Sequence, residues 1–140
     1  MILVVDANIL FSAFLKEGAT RRLIVYGLIE IYTPKFVIEE FFEHVNELSE
    51  KTKINKEILK IKIKEFLSSS NIRFYSGKDI EDFVIEARQI SPDKDDAMYF
   101  AAALKLGCPI WSNDKKLKEQ NEIEVYSTEE IIDKLKSQIE

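Results

Sequence analysis

Carboxylates stand at the ends of apolar runs in this 140-residue sequence, where an acid can do more than face water. The run Ile2-Leu3-Val4-Val5 ends on Asp6-Ala7-Asn8, and Ile110-Trp111 ends on Ser112-Asn113-Asp114. A third group, Asp93-Lys94-Asp95-Asp96, leads into the apolar stretch Ala97–Leu104, and a fourth, Glu39-Glu40, lies among Val37, Ile38, Phe41 and Phe42. Acids converging from separate elements repel one another unless a divalent cation neutralises them. A cation held in that way can activate water against a phosphodiester, and it lets an acidic protein accept a polyanion.

The composition narrows the choice of metal. A single His (His44) and a single Cys (Cys108) exclude a His- or Cys-rich zinc site and a disulfide framework. Carboxylate oxygens remain, and they suit hard cations such as Mg2+ or Mn2+. A net charge of −5 excludes a generic basic nucleic-acid coat. The longest apolar stretch is far shorter than the roughly 20 residues that span a bilayer. The N-terminus has neither the basic nor the small-residue marks of a signal peptide. A cytoplasmic protein without a membrane segment is expected.

The elements that must position these acids alternate. Strands are expected at 2–5, 30–33, 72–75, 109–112 and 124–126. Helices are expected near 19–26, from Pro34 to about Ser49, at 56–67, 79–89 and 94–106, briefly from Lys115, and from Thr128 to about Gln138, with Ser68–Asn71 a loop. This alternation predicts a three-layer α/β/α sandwich around a parallel sheet of four or five strands, all in a single domain over residues 1–140. Open parallel sheets bind ligands outside the carboxyl ends of their strands, and both Asp6 and Asp114 follow strands. Each is equally readable as a helix N-cap. On a helical wheel Asp96 falls in line with Phe100 and Ala103, on the buried face, while Asp95 lies toward the flank. An inward carboxylate is costly without a partner. The wheel does not choose between Glu39 and Glu40.

The ordered set Val5–Ser12, Thr33–Glu40, Asp93–Ala97 with Ala101–Ala103, and Ile110–Asp114 resembles a PIN domain over essentially the whole chain. That resemblance implies a metal-dependent endoribonuclease, such as the VapC-type toxin of a toxin–antitoxin pair. By its pattern Asp6, Glu40, Asp96 and Asp114 are the catalytic and metal-holding acids, and Asp93 is an additional nearby acid. Asn8, Ser112 and Asn113 beside them are expected to contact substrate. Expected partners are RNA, an antitoxin protein and a second copy of the chain. The homodimer is also suggested by the apolar excess of the 56–67 helix. The basic stretch from Lys51 to Lys64 reads either as a phosphate contact or as a solvated helix face. The alternative function is a non-catalytic metal- or RNA-binding module acting through a protein partner. Aspartyl-phosphate chemistry of the dehalogenase type is disfavoured, because Asn8 stands where a second Asp would be required.

Overall fold

The computed structural model describes residues 1–69 and 71–139. Its framework is a five-stranded, wholly parallel sheet. The strands are β1 (Ile2–Val5), β2 (Glu30–Pro34), β3 (Ile72–Tyr75), β4 (Ile110–Trp111) and β5 (Val125–Tyr126), in the order β3-β2-β1-β4-β5. β1 is central because it can be buried on both faces. Leu3 and Val5 face one core and Val4 the other, all three fully buried. Such continuous apolar runs are what parallel strands between two helical layers require.

One layer holds α1 (Ala7–Leu15), α2 (Ala19–Val25), α3 (Phe36–Glu43), α4 (Val45–Thr52), α5 (Lys56–Ser69) and α9 (Thr128–Ile139). The other holds α6 (Gly77–Ile80), α7 (Val84–Ile90) and α8 (Ala97–Leu106). The α/β/α sandwich read from the sequence is therefore present. The chain builds β2 and β3 on one side of β1, then returns to place β4 and β5 on the other. That reversal makes the β1/β4 boundary a topological switch point, the place where a crevice opens at the strand ends. Among the described residues no helix is long and apolar enough to cross a membrane.

Several boundaries differ from expectation, each for a local reason. α1 has no counterpart among the expected elements; it starts because Asp6 caps it. Pro34 finishes β2 instead of opening a helix, and the expected 34–49 helix is two, α3 and α4, parted at His44 (φ −94°, ψ 10°). The 79–89 helix is broken by a 3-10 turn at Glu81–Phe83, and α6 starts earlier because Ser76 and Asp79 form a capping box. The 94–106 helix begins with a 3-10 turn, Lys94–Asp96, so Asp96 stands at the N-cap of α8 rather than inside it. The short helix from Lys115 is also a 3-10 turn, Lys115–Lys118. Of the loop expected over 68–71, Ser68 and Ser69 continue α5, and Ser70 lies outside the described residues.

Candidate metal and nuclease site

β1 delivers Asp6 at the switch point. Its backbone N–H donates to Trp111 O at 3.3 Å, so it leaves the sheet beside the end of β4. Thr33 Oγ1 donates to Val5 O at 3.0 Å and anchors the last carbonyl of β1. The Asp6 side chain is 6% exposed and both its oxygens are engaged: Oδ1 accepts Ile9 N–H at 3.0 Å, and Oδ2 accepts the Ser112 hydroxyl. The cap reading of Asp6 is thus correct, and capping does not move it from the crevice. Burial raises its pKa above the ordinary carboxylate value, opposed by the bonds from Ser112 and Ile9 and reinforced by the charge of Asp114.

β4 delivers Ser112 and Asp114. Ser112 is buried; besides donating to Asp6, its hydroxyl oxygen accepts Asp114 N–H at 3.1 Å. Asp114 is exposed and caps the Lys115–Lys118 turn through Lys116 N–H at 3.0 Å. Ser112 is therefore a strut between two acids. Ser112→Ala strips Asp6 Oδ2 of its donor and leaves the Asp114 N–H unmatched. The expected loss is about 1–2 kcal/mol of stability, measurable by urea unfolding, with Ser112→Thr recovering most of it.

Asp96, at the start of α8, differs from the other acids. Its side chain makes no cap bond, and among the described residues its carboxylate has no hydrogen-bond partner. It is half-buried, and its pKa is pushed up to about 6, first by burial and then by the charges of Asp93, Asp6, Asp114 and Asp95. These couplings show four aspartates around Asp96 sharing one field. Asp93 is placed otherwise: Oδ1 accepts Asp95 N–H at 3.0 Å and Oδ2 pairs with Lys116 Nζ at 3.6 Å. Those contacts hold it below the usual carboxylate range. Asp95 is exposed.

α3 carries Glu40 half-buried and Glu39 exposed, a distinction the wheel could not make. Burial raises the Glu40 pKa, with His44 opposing and Glu43 adding to the rise. Glu40 shares a neighbour, Tyr99, with Asp6 and Asp96. His44 itself pairs with Glu47 at 3.5 Å and meets the edge of Phe11. Asn8 is exposed on the first turn of α1. The Asn113 amide is committed to Thr128: Nδ2 donates to Oγ1 at 3.2 Å and Oδ1 accepts the Thr128 N–H at 2.9 Å. Sequence reasoning overlooked Thr33, Lys116 and Tyr99. Tyr99 had a readable signal, since it follows Asp96 by one helical turn.

The donor set fits a hard divalent cation. All the candidate ligands are carboxylates, and Asp96, without a hydrogen-bond partner among the described residues, is pushed toward neutrality first by burial and then by its acidic neighbours, the condition a cation relieves. Among the described residues no three acid, His or Cys side chains are grouped tightly enough to hold an ion by themselves. An ion bound here would keep part of its water shell, as Mg2+ does.

A parallel α/β/α sandwich with aspartates gathered at its switch point defines a narrow class of protein. The PIN domain family model matches residues 4–136, and the chain belongs to that family. None of the curated proteins matches it. Solved structures share its fold. VapBC2 from Rickettsia felis, bound to a DNA fragment from its promoter, aligns with a TM-score of 0.63 at 17% identity over 91% of this chain and 98% of that one. A Klebsiella pneumoniae toxin–antitoxin complex aligns at 0.66 and 15% identity, over 90% and 97%. A Pyrobaculum aerophilum protein aligns at 0.65 and 16% identity, over 99% and 91%.

Proposed function

We propose that this chain, acting as one domain, is a Mg2+- or Mn2+-dependent endoribonuclease and the toxin of a toxin–antitoxin pair. The observation that carries the reading is Asp96, half-buried, without a hydrogen-bond partner among the described residues and repelled by the aspartates around it. Asp6 and Asp96 would hold the ion, with Asp114 beside them. A divalent cation bound there would neutralise the acids, lower the pKa of a bound water and offset charge on the phosphodiester. Ser112 keeps Asp6 aimed by bonding Oδ2. Glu40, half-buried on α3, is the carboxylate assigned to take the proton of the attacking water. Asp93 and Lys116 neutralise each other at the rim and offer the RNA backbone no net repulsion there.

The toxin reading draws on the toxin–antitoxin complexes among the structural neighbours. It is supported by a groove between α1, α2 and α5 with a mixed lining, Phe14, Val25 and Phe66 beside Glu17, Arg21 and Lys62, that suits an amphipathic partner segment. The homodimer rests on α5, where Ile58 and Ile61 are 51% and 57% exposed. The deciding assay is hydrolysis of single-stranded RNA with Mg2+ by wild type and Asp6→Asn. Cleavage by the wild type alone is expected. RNA or metal binding by both proteins without turnover would favour the non-catalytic module instead.

A further inference from the structure

We propose that Tyr99 is a positioning residue that holds the carboxylates of Asp6, Glu40 and Asp96 at a fixed spacing; the inference rests on the nuclease reading of that site. Tyr99 lies on α8 one turn after Asp96, on the same side of the helix. Its hydroxyl oxygen accepts the N–H of Ala7, the residue directly after Asp6, at 3.1 Å. Its ring meets the Phe36 ring at 6.0 Å and 60°, and Phe36 opens α3 one turn before Glu40. One side chain therefore touches all three elements that carry these acids.

At 4% exposure Tyr99 is too buried to meet substrate, so it acts through the residues it holds. Burial and the charges of Asp6, Glu40 and Asp96 all oppose its ionisation, so the phenol stays protonated at any working pH. The Ala7 bond occupies its oxygen as an acceptor, and the phenolic proton remains to be donated within the field of those acids. Three like charges push their elements apart when no cation is present. A buried strut bonded across them limits that spread and keeps the site near its loaded geometry. Tyr75 is the natural comparison. It is also buried and its hydroxyl donates to α8, at Met98 O (3.0 Å), but among the described residues that hydroxyl makes no hydrogen bond to α1 or α3.

The experiment compares Tyr99→Phe and Tyr75→Phe, each of which keeps its ring and loses one buried hydroxyl. Tyr99→Phe should fold, need about tenfold more Mg2+ for half of the Mg2+-induced rise in Tm, and cleave RNA with kcat lowered about tenfold at unchanged KM. In the ion-free protein its Ala7 amide should exchange with deuterium about tenfold faster. Tyr75→Phe should lose comparable stability and leave all three readouts at wild-type values. Wild-type Ala7 exchange in Tyr99→Phe overturns the strut, as does an equal effect of Tyr75→Phe, which would mean general loosening of α8. If the wild type neither cleaves RNA nor responds to Mg2+, the nuclease reading fails. Ala7 exchange in ion-free Tyr99→Phe then still decides the strut, faster supporting it and unchanged overturning it.

Discussion

Asp96→Asn is expected to lower Mg2+-dependent RNA cleavage by at least about a hundredfold while making the ion-free protein more stable above neutral pH. The two effects have one cause. Among the described residues half-buried Asp96 has no hydrogen-bond partner, and burial together with the charges of Asp93, Asp6, Asp114 and Asp95 pushes its pKa up to about 6. A carboxyl whose pKa is raised in the folded state is one whose neutral form the fold prefers. Its contribution to stability is complete below the unfolded value of 3.8 and is lost as pH rises through about 6. Asparagine keeps the shape and the tolerance for an N-cap position but cannot ionise. In thermal melts without divalent ions the variant should gain about 1 kcal/mol at around pH 7.5, a figure discounted for solvent screening of a half-exposed group, and gain nothing near pH 4. Asp95→Asn, at an exposed position, should change neither cleavage nor the melts appreciably. Equal damage from both substitutions would show that Asp96 is not the carboxylate the site depends on.

The second large effect is that of the cation. EDTA should stop RNA cleavage and leave the far-ultraviolet circular dichroism unchanged, because the core lies in the two apolar layers and not at the acids. Added Mg2+ should raise Tm by several degrees near pH 7.5, since an ion at a hundred times its Kd stabilises the folded state by about 2.7 kcal/mol. Near pH 4.5 the rise should shrink sharply, because Asp96, whose pKa is pushed up to about 6, is then largely protonated and unable to hold a cation. Full cleavage by a rigorously purified sample in EDTA would remove the metal from the mechanism.

The sequence by itself determined the architecture. Short β-branched runs alternating with helical periodicity allow little other than a parallel sheet covered on both faces, and all five expected strands are present. An acid directly after such a strand must emerge at its carboxyl end, so the convergence of Asp6 and Asp114 was readable from order alone. The inward bias of Asp96 was readable too, because helical periodicity carries to the first residue before a helix even though the backbone there forms a 3-10 turn.

Contacts between elements were left to the tertiary structure. The break at His44 lets α3 bury Phe41 and α4 bury Val45 and Leu48 along different axes, a demand of packing and not of local propensity. Glu39 and Glu40 flank the same apolar face in sequence; the tertiary fold half-buries Glu40 and leaves Glu39 in water. Exposed Asn113 is held by the start of α9, which comes close enough in space to engage both polar atoms of its amide. Spacing in sequence puts Tyr99 one turn after Asp96 but does not say what its hydroxyl meets. Its hydroxyl meets the Ala7 amide 92 residues away, and no local pattern encodes a bond of that range. Periodicity reports which face of an element is buried, and only the packed molecule decides what that face meets.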